Sequence, residues 1–222
     1  MVRYLLVLLP GCLAATAHAG GHFDVDDAGT LDPGQCQVEA WAGRFGVDRV
    51  LDYHLGPACG IGPVEVRLNI DRYAVPGEFA YVVGPQVKWT FVGRDEEARF
   101  AMAASAGPNF DVTRGGRTGG QVLLPVSWRA LDSLWLHANL GLDWAPGTGE
   151  RTGRGGAQAE WAMNDRFTLI VERFRSVGVW TSRGGLRISL APTTSVDLSG
   201  ARNGPERVRG YAIGINHEFK GF

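Results

Sequence analysis

The chain reads as an all-β protein: a transmembrane, antiparallel, up-and-down β-barrel of about twelve strands. Three observations predict this. Apolar and polar residues alternate at period two along most of the sequence, the signature of strands with one wet face. The alternating stretch 77–93 is long enough for the ~9–11 residues that a strand needs to cross a bilayer. Short polar connections also alternate with longer glycine-rich ones, as turns and loops do at the two ends of an outer-membrane barrel.

Residues 1–19, "MVRYLLVLLPGCLAATAHA", carry Arg3, an apolar run and Ala17-His18-Ala19. This is the layout of a secretory signal cut after Ala19, which leaves 20–222 as a single barrel domain. A lipoprotein cut before Cys12 is the rival, but Pro10 suits it poorly. Export to an oxidising compartment makes Cys36 and Cys59 candidate disulfide partners.

The first strands fall at about 35–45 and 47–58. In "VEVRLNIDRY", Val64, Val66, Leu68 and Ile70 oppose Glu65, Arg67, Asn69 and Asp71. Over 78–92, Phe79, Tyr81, Val87, Trp89 and Phe91 oppose Glu78, Gln86, Lys88 and Thr90. Phe100, Met102 and Ala104 then oppose Arg99 and Ser105, and Val122, Leu124, Val126 and Trp128 oppose Gln121, Ser127 and Arg129. In "SLWLHANLGLDW", Leu134, Leu136, Ala138, Leu140 and Leu142 oppose Trp135, His137, Asn139 and Asp143. Ala157, Ala159 and Trp161 oppose Gln158 and Glu160; further strands fall at about 166–175, 184–190, 194–202 and 211–219.

The polar face decides which way the strands point. A soluble core cannot hold so many charges without partners or water. A two-sheet soluble sandwich could expose them, but strand length and the pattern of connections favour the barrel. The leucines then face lipid. Glu65, Arg67, Asp71, Lys88, Arg99, Arg129, His137 and Glu160 are expected to line a wet lumen. Short connections such as "GRDEE" 93–97 and "RALDS" 129–133 would be periplasmic. "DVTRGGRTGG" 111–120, "APGTGERTGRGG" 145–156 and "GARNGPER" 200–207 would be external loops. Both chain ends and both cysteines then lie at the periplasmic rim. In the ending "GYAIGINHEFKGF", Tyr211, Ile213, Ile215 and Phe219 share one face. This ending resembles the closing strand that the barrel assembly machinery reads in outer-membrane proteins, with "KGF" as a departure.

"HFDVDDAGTLDPGQCQVEAWAGR" 22–44 resembles the start of an outer-membrane family of phenol meta-pathway degradation proteins or transporters, through Phe23, Asp26, Asp27, Thr30, Gly34 and Glu39. The resemblance implies a barrel in the outer membrane and a link to aromatic compounds.

Other chemistries are weakly supported. "DVDDAG" lacks the ligands a calcium loop needs at Ala28 and Gln35, so it reads as a solvated periplasmic lead-in. No phosphate loop, metal set or cofactor motif is present, and a net charge of −1 gives no case for nucleic acid. Ser127 and His137 could face each other across a hairpin, as a lipid hydrolase would require, but Asp143 is too far along the strand to orient the histidine. The expected role is a channel or transporter for small solutes, hydrophobic or aromatic ones among them, with outer-membrane lipid as its surroundings. A sealed structural or surface-interaction barrel is the alternative.

Overall fold

The computed structural model describes residues 22–45, 50–75, 77–95, 97–145 and 150–221. The leader and its cleavage site lie outside them. Twelve strands form one closed antiparallel barrel. They are β1 Gln35–Phe45, β2 Val50–Ile61, β3 Val64–Val75, β4 Glu78–Val92, β5 Phe100–Asp111 and β6 Gly116–Leu131, followed by β7 Leu134–Ala145, β8 Glu150–Ala162, β9 Phe167–Ser176, β10 Val179–Ala191, β11 Thr194–Asn203 and β12 Val208–Lys220. Each strand pairs with its sequence neighbours, and β1 closes the ring on β12 from Gln35↔Lys220 to Phe45↔Gly210. Closure leaves no unpaired sheet edge, a condition for crossing a lipid bilayer.

The period-two alternation sets the direction of the side chains. On β7, Leu140 is 72% exposed while His137 and Asn139 are each 3% exposed, so the leucine face is the outer one. The same outward band holds Leu55, Leu68, Val122, Leu142, Val171, Leu198, Ile213 and Ile215. An apolar surface that encircles the molecule needs hydrocarbon against it. Aromatic residues edge the band: Trp89, Phe91, Phe100, Trp128, Trp161 and Phe219 at the rim that holds the chain ends, and Tyr53, Phe79, Tyr81, Trp180 and Tyr211 toward the opposite rim. Two such girdles mark the bilayer interfaces of a membrane barrel. Among the described residues, no helix is long and apolar enough to cross a membrane.

Cys36 and Cys59 are direct partners in the β1–β2 register and form a disulfide. Tyr211, Ile213, Ile215 and Phe219 all face outward on β12, and Lys220 continues that strand beyond Phe219.

Two expectations are corrected. The glycine-rich segments are not long loops. Strands absorb most of them, leaving connections of 112–115, 146–149 and 204–207, while the longest connection, 93–99, lies at the rim of the chain ends. Glycine permits β backbone as readily as loop backbone, so composition misplaced these boundaries. The segment 22–33 is likewise no solvated lead-in. It enters the barrel and runs around its inner wall, so His22 lies in the lumen, and only the start of β1 and the end of β12 stand at the rim where both chain ends are expected.

Candidate functional site: a belted lumen and its vestibule

Residues 22–33 have no strand partner apart from the isolated bridge Pro33↔Gly60. Their backbone donors therefore need other acceptors if they are to be buried, and the inner wall supplies them. Leu31 N donates to Glu65 (3.2 Å) on β3, and Ala28 N donates to Ser127 Oγ (2.8 Å) on β6. Asp26 N donates to Asn139 Oδ1 on β7 at 2.7 Å, and Asn139 Nδ2 donates back to the Asp26 carbonyl at 2.7 Å. Asp24 and Val25 N donate to the Glu172 carboxylate on β9 at 3.1 and 3.0 Å. Thr90 Oγ1 on β4 donates to the Ala28 carbonyl at 2.6 Å. At the far end, the His22 ring bonds Ser199 on β11, and its carbonyl accepts from Arg183 on β10. The segment is thus a belt that passes from the β2–β3 wall to β11.

Apolar contacts reinforce these bonds. Val25, Ala28 and Leu31, at three-residue spacing, are at most 5% exposed. Ala28 packs on Ala101 and Ala103, two small inward residues of β5. Of the residues that carry the family resemblance, Phe23 lies by Arg183, Asp26 and Asp27 meet Lys88, Thr30 meets Thr90, and Gly34 turns at φ 82°.

Ion pairs run through the lumen, each base being shared between acids. Lys88 Nζ on β4 lies 2.9 Å from Asp26 and 3.0 Å from Asp27. Arg67 on β3 bridges Glu39 (2.9 Å) and Glu65 (3.2 Å). Arg183 joins Asp24 (3.0 Å) to Glu172 (3.2 Å). Arg187 holds Asp197 (2.8 Å) beside Glu160 (3.7 Å). His54 bonds Asp71 at 2.7 Å, and Arg154 lies 3.3 Å from Asp143. Burial lowers the His22 pKa to about 3, and Arg183 and Arg187 push in the same direction. The ring is therefore neutral in the belt.

Of the expected lumen residues, the fold gathers Glu65, Arg67, Asp71, Lys88, His137 and Glu160 inside the wall. Arg99 and Arg129 are corrections. Arg99 precedes β5 in the 93–99 connection and forms an exposed pair with Asp132 at 3.2 Å. Arg129 keeps the inward parity of Ser127 and pairs with Trp135, but two residues from the end of β6 it stands at the rim, where it lies over the Trp135 ring and donates to the Glu97 carbonyl. The lower lumen is also drier than expected, because the belt fills it.

Ser127 and His137 do meet, at 2.8 Å between Oγ and Nδ1. His137 Nε2 has no hydrogen-bond partner among the described residues, and Asp143 is engaged by Arg154 and by the Val177 N–H. Ser127 is 2% exposed beneath Ala28. The pair works here as an anchor for the belt.

Above the belt, toward the rim opposite the chain ends, lies a vestibule of about 700 Å³. His22, Phe23, Asp24 and Asp26 of the belt contribute to its lining. Eight carboxylates (Asp24, Asp26, Glu39, Asp52, Glu65, Asp71, Asp143 and Glu150) line it, against four permanent cations (Arg67, Lys88, Arg154 and Arg183). Trp41, Tyr73 and Trp144 add ring surfaces. Among the described residues, no group of three or more histidine, cysteine or carboxylate side chains is arranged to hold a metal.

The chain matches the family described as "Uncharacterised conserved protein UCP029691" over residues 6–219. It belongs to that family. The match is to this family rather than to the phenol meta-pathway family that residues 22–44 resemble. No curated protein matches. Among solved structures, the chain is similar to the NanC porin (12% identity, 81% of this chain and 98% of that one, TM-score 0.64). It is also similar to the KdgM porin (8% identity, 82% and 99%, TM-score 0.68). A third likeness is to the COG4313 outer membrane channel from Pseudomonas putida F1 (10% identity, 89% and 100%, TM-score 0.57). At these identities the likeness establishes a shared porin-type barrel fold.

Proposed function

We propose that the protein is an outer-membrane channel for small solutes, exported with removal of residues 1–19, in which the N-terminal belt forms the constriction. The rim where β1 begins and β12 ends, with most of the tightest turns, is periplasmic, and the vestibule opens outward. The observation that carries this reading is a polar vestibule of about 700 Å³ that meets the belt inside a closed barrel. The excess of carboxylates in its lining favours neutral and cationic solutes, since a narrow path with low-dielectric walls concentrates the field of its charges. Phe23, Trp41 and Tyr73 offer stacking faces to aromatic ones.

Planar-bilayer conductance tests the proposal. The full chain should show small, cation-preferring steps, and deletion of residues 20–31 should enlarge them several-fold while heat-modifiable migration persists. Absence of conductance from both forms would favour the sealed-barrel reading, for which the density of belt contacts is the supporting observation. Outward-facing Tyr211, Ile213, Ile215 and Phe219 fit a role as the signal read by the barrel assembly machinery.

A further inference from the structure

The outer wall carries a feature that neither lipid tails nor the channel reading accounts for. Arg173 on β9, Arg202 on β11 and Arg209 on β12 follow the outward parity of Val171, Leu198 and Tyr211, all three of which are exposed. They occupy one rung across four neighbouring strands: Arg173↔Ser182, Ser182↔Arg202 and Arg202↔Arg209 are direct register partners. Each lies within three residues of the end of its strand at the rim away from the chain ends. Like charges placed directly opposite on a sheet destabilise it. Yet among the described residues no carboxylate lies within 4 Å of any of these guanidinium groups; that of Arg173 donates to Ser182, and those of Arg202 and Arg209 have no hydrogen-bond partner.

The next rung toward the bilayer centre runs Val171–Gly184–Gly200–Tyr211. A Cβ at Gly184 or Gly200 would meet nothing closer than 3.8 Å. Two paired glycines therefore leave a shallow hollow directly below the arginine rung. Tyr211 walls one side, with Arg44 as its own partner on β1. Trp180, stacked under Arg173 with 5.1 Å from guanidinium carbon to ring centroid, stands above it.

We propose that this outer face of β9–β12 binds a phosphorylated glycolipid of the outer leaflet, with phosphates on the arginine rung and a sugar ring over the Gly184–Gly200 hollow. Guanidinium groups pair with phosphate oxygens through two parallel N–H bonds, and an anionic headgroup at the interface removes the mutual repulsion of Arg202 and Arg209. The inference rests on the orientation given above, because only that orientation puts the rung in the outer leaflet.

The test is lipid retention by the purified full chain in detergent, read by native mass spectrometry and kept separate from conductance. Bis-phosphorylated lipid A should bind at least tenfold more tightly than phosphatidylglycerol. The Arg202→Gln/Arg209→Gln variant should lose that preference, and Gly200→Val, which leaves every charge in place, should weaken lipid A several-fold. Equal binding of phosphatidylglycerol, displacement of lipid A by equimolar inorganic phosphate, or unchanged binding by a folded variant would overturn the proposal. If the double variant fails to fold, Gly200→Val decides. A chain that binds lipid A without conducting would defeat the channel reading alone, and one that conducts without binding would defeat this inference alone.

Discussion

The two halves of the lumen are built on the same alternating strands, yet they solve the problem of inward charges differently. In the lower half the belt brings its own carboxylates to the wall: Asp26 and Asp27 to Lys88, and Asp24 to Arg183. Charges there are compensated at close range. Away from those pairs, the vestibule is lined by Glu39, Asp52, Glu65, Asp71, Asp143 and Glu150 against Arg67 and Arg154, so carboxylates predominate there. A polar lumen residue therefore anchors the belt in one half and lines open space in the other, although the sequence pattern is the same in both places.

The largest expected effect comes from breaking the lower half. Lys88→Ala strands Asp26 and Asp27 without their cation. Breaking a buried pair in this way costs roughly 3–5 kcal/mol, and here the cost falls on docking of the belt. Protease sensitivity of residues 22–33 should rise and conductance should approach that of the 20–31 deletion. Unchanged protection would mean that the belt does not depend on this contact.

The outer wall gives the next effect. Leu140→Arg places a charge on the lipid face in the middle of β7 and should cost ~2–4 kcal/mol at the bilayer midplane, read as lost heat-modifiable migration. Normal assembly of that variant would reverse the assignment of faces.

Acid should also separate the two halves. The docked His22 ring has its pKa lowered to about 3, against about 6.5 when free. The undocked belt thus binds the extra proton. Docking is fully supported above pH 6.5 and is progressively lost as pH falls from there toward 3, by about 2 kcal/mol at pH 5. Arg183 and Arg187 face the ring, and neither changes charge in this window. Conductance should rise between pH 6.5 and 5 in the full chain, and the rise should flatten in His22→Gln.

The smallest effect is expected at the rim. Arg99 and Asp132 form an exposed pair, so Arg99→Ala should change stability by less than about 0.5 kcal/mol and leave conductance unaltered. A strong effect would return Arg99 to the pore.

The barrel was legible because alternation is local: Leu140 beside His137 states which face is wet without knowledge of any partner strand. The Cys36–Cys59 pairing was legible for a related reason, since two consecutive strands of about equal length bring their outer ends together. The belt was hidden because its partners, Glu172 and Ser199, lie 148 and 177 residues away from their belt contacts. Its one local trace was the spacing of Val25, Ala28 and Leu31 among acids. The loop boundaries failed at glycines, and Arg129 failed because alternation gives the side of the wall a residue faces and not its distance from the rim.

The belt also orders events in time. It touches β3, β4, β6, β7, β9, β10 and β11, so the first described residues of the chain have no complete binding surface until almost the whole wall has formed. Contacts this distant in sequence form late, because the chain must lose its freedom before they can reward it. A barrel with a strand unpaired would present an incomplete track and leave residues 22–33 accessible. The lumen is therefore occupied last, and the belt distinguishes a completed wall from an incomplete one.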